Sequence, residues 1–69
     1  MLREAMNVVR TARNWSGPFG VNVSDKVGQH ALREAREELA KGDYEVAEEQ
    51  CQSAIRDAKR AVERAEALV

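Results

Sequence analysis

The sequence predicts an all-α protein of three helices, in which the second and third form an antiparallel hairpin and the third is long and rich in alanine. Two observations support this fold class. Apolar residues recur every three or four positions over most of the 69 residues, which is the period of a helix with one buried face. The tripeptide Lys41-Gly42-Asp43 also pairs a glycine that suits the left-handed end of one helix with an aspartate that suits the cap of the next. So short a connection requires neighbouring antiparallel helices.

The first helix is predicted at about residues 2–14. Its outer face carries arginines, and its apolar face comprises Leu2, Ala5, Met6, Val9 and Ala12. The helical pattern ends at Trp15, which we expect to act as a hydrophobic anchor.

Residues 15–23 are predicted to form an ordered loop. Gly17, Pro18 and Gly20 interrupt helical structure there. Because the same segment contains two aromatic residues and two valines, we expect it to fold back over the open end of the helix bundle.

The second helix is predicted at about residues 25–41, with Ser24 or Asp25 as its N-terminal cap. Its apolar residues are Val27, Ala31, Leu32, Ala35 and Leu39. Gly28 lowers the helix propensity of the first turn, so it marks either a close approach of another backbone or a weak start of the helix.

The third helix is predicted at about residues 44–68. Small apolar residues alternate at steps of four and three along it, and we call these residues the alanine stripe: Ala47, Cys51, Ala54, Ala58, Ala61, Ala65 and Leu68. Ile55, Val62 and Val69 form a second stripe beside it. This helix is longer than its partner, so its apolar end needs a cover. Within one chain the loop and the first helix supply that cover, whereas in an oligomer another subunit does.

Self-association is the first functional expectation. A 69-residue chain whose core is mostly alanine buries few large side chains, so a monomer is expected to be marginally stable. We therefore expect a homodimer or a higher oligomer that also engages a protein partner. The predicted interface consists of Ala47, Cys51, Ala54, Ile55, Ala58, Ala61, Val62, Ala65 and Leu68.

The arginine-rich end of the first helix and the loop support an alternative. Arg10 and Arg13 lie one turn apart before Trp15, and Phe19 and Lys26 follow. Guanidinium groups beside an exposed ring suit phosphate contact and base stacking, as in a nucleotide or single-stranded nucleic-acid binder. The competing interpretation is that both aromatic rings pack against the third helix and both arginines are solvated.

The inventory of reactive residues argues against enzymatic function. There is one cysteine and one histidine, on different predicted helices and without metal-ligand spacing, so we expect no metal, no cofactor and no catalytic site. The net charge of −1 does not suit a dedicated duplex-binding domain. No apolar run is long enough to span a bilayer, and we expect a cytoplasmic protein with no membrane partner.

The hairpin from Ala31 to Ile55 resembles two families. Gly42-Asp43-Tyr44 at the turn and Ala47 three residues after Tyr44 resemble a single tetratricopeptide repeat. The GDYE turn, followed by a helix carrying alanine and glutamine, also resembles HEPN bundles. The catalytic members of that family carry an arginine at a fixed spacing before a histidine, and His30 has no such arginine upstream. The HEPN resemblance therefore implies a non-catalytic, dimerising component of a toxin-antitoxin system.

Overall fold

A computed structural model describes all 69 residues and confirms the all-α fold. The helices are α1 (Leu2–Arg13), α2 (Gln29–Lys41) and α3 (Tyr44–Ala67), and a short 3-10 turn, Pro18–Gly20, lies in the connection between α1 and α2. None of the helices combines the length and the apolar character that crossing a bilayer requires.

The three helices form an up-down-up bundle. The predicted antiparallel hairpin of α2 and α3 makes the most extensive contact, and α1 packs mainly along α3. The guanidinium of Arg36 lies 3.8 Å from Met6 Sδ, and Arg13 Nε donates a 3.0 Å hydrogen bond to the carbonyl of Val27. The start of α1 thus lies beside the later part of α2, and the end of α1 beside the approach to α2. The order of these contacts makes α1 antiparallel to α2 and parallel to α3.

The turn between α2 and α3 has the predicted local chemistry. Gly42 closes α2 with a φ of 81°, and its amide donates to the Leu39 carbonyl. Asp43 caps α3, because its Oδ1 accepts a 3.3 Å hydrogen bond from the amide of Val46. Both predicted capping roles are confirmed.

The predicted start of α2 is wrong. Ser24 Oγ accepts from the amide of Lys26 at 3.2 Å, and residues 25–28 form a turn instead of the first turn of the helix. Gly28 has a φ of 73°, which a helix does not contain, so α2 begins only at Gln29. A Cβ at Gly28 would stand 2.8 Å from Val9 Cγ2, so this glycine admits a side chain of α1.

The core consists mainly of alanine, as the composition predicts. Its members from α1, α2 and α3 are Ala5, Val9, Ala12, Ala31, Leu32, Ala35, Cys51, Ala54, Ile55 and Ala58. Such small side chains allow the helices to approach closely, and the long α3 makes the particle elongated, 44 × 16 × 15 Å.

The overhang of α3 is covered within the chain over part of its length. At 1.5 Å per residue, the 24 residues of α3 extend about 36 Å and the 13 residues of α2 about 20 Å. The end of α1 reaches this region, where Thr11 and Ala12 lie beside Val62 and Glu66. Ala65 is buried, whereas Leu68 is 76% exposed. The first helix therefore supplies its part of the cover expected within one chain, and the last turn of α3 remains open. The expected contribution of the loop is corrected at Phe19, which is exposed and does not pack over the bundle.

Candidate protein-interaction site

The predicted oligomer interface is mostly internal to one chain. Six of its nine residues are buried in the isolated chain: Ala47, Cys51, Ala54, Ile55, Ala58 and Ala65. A second chain would have to displace α1 or α2 to reach them, at the cost of the core itself. The predicted interface is thereby narrowed to its accessible members, Ala61, Val62 and Leu68.

An open groove lies between α1 and the second half of α3, and we call it the α1–α3 groove. It encloses about 450 Å³. Its lining residues are Asn7, Val8, Thr11, Ala12, Ala58, Lys59, Val62, Glu63 and Glu66. Small and branched apolar side chains form its floor, and polar or charged side chains form its rim.

The floor of the groove depends on parallel packing of α1 and α3. Ala12 and Ala58 are buried between the two helices, and their methyl side chains let the backbones approach. Val8 and Val62 are half-buried on either side of this contact. Val8 follows Ala5 by three residues and precedes Ala12 by four, so it extends the α1 face toward α3.

The α1 side of this groove is not apparent from the sequence. The predicted apolar face of α1 includes Val9 but leaves out Val8. The detectable signals were the adjacent valines at positions 8 and 9 and the second stripe on α3, which contains Val62. Their meeting depends on how α1 lies on α3, and the sequence does not show that placement.

The charged rim comes from one face of α3. Lys59, Glu63 and Glu66 are all exposed, and none of them forms an ion pair within the chain. The Lys41–Glu38 ion pair lies on α2, as does the contact between His30 and Glu34. The rim charges are therefore available to another molecule.

The residues of the predicted nucleotide-binding alternative are distributed unevenly. Phe19 is 98% exposed, which contradicts the interpretation that both aromatic rings are packed. Trp15 is half-buried, and its ring lies over Gly17, where an added Cβ would stand 2.8 Å from Cη2. Arg13 is half-buried and bonded to Val27, so it is not simply solvated, whereas Arg10 and Lys26 are exposed.

The tip of this loop is ordered by local bonds. An antiparallel bridge joins Ser16 and Asn22, and the Gly17 amide donates to the Val21 carbonyl at 2.8 Å. Asn22 Nδ2 donates to the Gly20 carbonyl at 3.2 Å. Phe19 has a φ of 59°, which a non-glycine residue adopts only with strain. The loop therefore holds the Phe19 ring away from the bundle.

The two residues with potentially reactive side chains lie in different environments. His30 is exposed on α2, within 3.6 Å of Glu34 and 3.2 Å of Arg33. Cys51 is a free, buried thiol on α3, and burial raises its pKa above the ordinary value of 9.0, with the amino terminus lowering it and Glu48 raising it to smaller extents. Nowhere do three histidine, cysteine or acidic side chains come together in a geometry that suits a metal ion.

Comparison with known proteins identifies no relative of this chain. No family model, curated protein or solved structure matches the chain. The resemblance of the hairpin to tetratricopeptide and HEPN proteins therefore stays a prediction.

Proposed function

We propose that this protein is a small, non-enzymatic interaction module that binds another protein chain through the α1–α3 groove. One observation carries the proposal: the groove has an apolar floor around Val8 and Val62 that no other part of the chain covers. Apolar concavities with a polar rim are typical of protein and ligand contacts. Of the accessible residues of the predicted interface, Val62 lines this groove, whereas Ala61 lines a depression beside Gly28 and Leu68 lines neither.

The proposal includes a cytoplasmic location. Cys51 is a free thiol inside the core, and a reducing compartment keeps such a thiol free. Fractionation of the native cells with an antibody against the chain would test this location, and recovery only from a secreted fraction would contradict it.

Site-specific photocrosslinking tests the binding face. A photoreactive phenylalanine analogue is placed at Val62, inside the groove, or at Arg60, an exposed residue of α3 that lines a different depression beside Gly28. We expect a polypeptide adduct from position 62 in the native cells and at most a trace from position 60. No adduct at position 62, or equal adducts at both positions, would contradict the proposed binding face.

A second candidate function rests on Phe19. Its exposed ring, together with the exposed Arg10 and Lys26, supports binding of a nucleotide or a single-stranded nucleic acid. Anisotropy of a labelled oligonucleotide would be measured with the wild type and Phe19→Ala. Removal of one stacking ring is expected to weaken binding by about tenfold. Absence of binding by the wild type would eliminate this candidate.

A further inference from the structure

We infer that the occupant of the α1–α3 groove is a second copy of this chain, related by a two-fold axis that makes the two α3 helices antiparallel. This inference rests on the proposed function, because it names the partner of the same binding face. Its basis is that Lys59 and Glu66 at the rim of the groove complement each other in charge when two copies pair in the antiparallel direction.

The charges of Lys59 and Glu66 favour antiparallel over parallel pairing. Lys59 and Glu66 are seven residues apart, so they lie on one side of α3 separated by two turns. A two-fold axis between Val62 and Glu63 brings each Lys59 opposite the Glu66 of the second copy, and the symmetry creates this pair twice. Parallel pairing in register would instead oppose lysine to lysine and glutamate to glutamate. Both side chains lack an ion-pair partner within the chain, so antiparallel pairing uses two of the three rim charges of each copy. The third, Glu63, comes opposite Val62 of the second copy and gains no opposite charge.

The shape of the groove suits the same arrangement. Val62 lies next to the proposed axis, so the valines of the two copies meet at the centre of the interface. Ala58 and Ala12 are buried beneath this contact, so the half-buried Val8 and Val62 are the apolar side chains that the second copy reaches. The charged pairs then lie at the rim, where exposed ion pairs contribute more to specificity than to affinity.

The direction of α1 makes the assembly a four-helix arrangement. Because α1 runs parallel to α3, the α3 helix of the second copy is antiparallel to both helices that line the groove. The α1 and α3 helices of the two copies then form a bundle, and each α2 remains outside it. Bundles of this kind bury apolar stripes that one chain leaves half-covered.

Reciprocal charge exchange tests the pairing in the purified chain. Sedimentation equilibrium would be measured for the wild type, Lys59→Glu, Glu66→Lys and the double variant. Each single variant opposes like charges at both symmetric positions, so we expect dimerisation about tenfold weaker than in the wild type. The double variant restores both pairs with their signs reversed and should dimerise like the wild type.

Arg60→Glu is the matched control, because it makes the same charge change on α3 outside the groove. Its dimerisation should match that of the wild type, and circular dichroism would verify that every variant is folded. A wild type that remains monomeric at millimolar concentration would overturn the inference. The inference would also be overturned if the single variants dimerised as strongly as the wild type, or if the double variant dimerised as weakly as the single variants.

The experiments can refute the proposed binding face and the proposed second copy separately. If the purified chain is monomeric while the Val62 analogue crosslinks to a different protein, the second copy is refuted and the interaction module stands. If position 62 gives no adduct in cells and the purified chain shows no charge-dependent dimer, both are refuted.

Discussion

Among single residues, Gly28 has the strictest structural requirement. Its positive φ and its contact with Val9 act together, so Gly28→Ala should destabilise the chain through both backbone strain and steric overlap. We expect a loss of about 2–4 kcal/mol in the free energy of unfolding, measured by urea denaturation.

The variant Gly42→Ala separates backbone strain from steric overlap, the two causes of the loss expected for Gly28→Ala. Gly42 also has a positive φ, but an added Cβ there meets nothing within 4 Å. Its substitution should therefore cost only the strain, about 1–2 kcal/mol. The double variant Gly28→Ala with Val9→Ala should lose less free energy of unfolding than the sum of the two single losses, because the smaller side chain at position 9 removes the steric overlap. Equal losses for the two glycine variants, without coupling, would show that the Val9 contact is unimportant.

Cys51 should make stability depend on pH in the alkaline range. Its pKa is raised in the folded chain, so the folded state holds the thiol proton more tightly than the unfolded state. The resulting contribution is complete below pH 9.0 and is lost as the pH rises through the folded-state pKa. Denaturation of the wild type and Cys51→Ala should show a stability difference that is constant below pH 9.0 and shifts in favour of the variant above it. A difference independent of pH would contradict this expectation.

For the helices, the close packing of α3 against its neighbours is the feature to test. Ala54 is fully buried, and its replacement by leucine adds three carbon atoms where neighbouring side chains already fill the space. Ala54→Leu should lower the free energy of unfolding by about 1–3 kcal/mol. Ala40→Leu is the control because Ala40 is exposed on α2, and its effect should stay within about 0.5 kcal/mol. The free energy of unfolding would be measured by urea denaturation. Equal values for the two variants would mean that position 54 tolerates overpacking.

Local and non-local interactions explain which helix features the sequence predicted. The turn at Gly42 and Asp43 was correctly predicted because its hydrogen bonds join residues close in the chain. The start of α2 was not, because the conformation of Gly28 accommodates Val9, which is 19 positions earlier in the sequence. The groove likewise combines two helices that no local pattern connects. One of the two interpretations of the loop buries Phe19 because it is apolar, but the bonds within the loop hold the ring in solvent.

For the whole molecule, the proposed dimer should be longer than the single chain. The monomer is 44 Å long, and the middle of α3 lies about seven residues before the proposed two-fold axis. Antiparallel pairing therefore displaces the two copies by about 20 Å along the helices, which gives a particle about 65 Å long.

Small-angle X-ray scattering over a concentration series would measure this length. The radius of gyration should increase from a value near the monomer's 12.9 Å as the dimer forms. A dimer with a maximum dimension close to the monomer's 44 Å would mean complete overlap of the two copies and would contradict pairing at Val62.

The hydrogen bond from Arg13 to Val27 has a consequence for the variability of the protein. It holds the two ends of the long connection together, and the bridge between Ser16 and Asn22 closes the tip again farther out. The seven residues from Ser16 to Asn22 are thus a peptide mounted on a closed stem. Mutation can change exposed positions of this peptide, such as Phe19, while the helices keep their positions, so a new recognition side chain can be introduced there without redesigning the bundle.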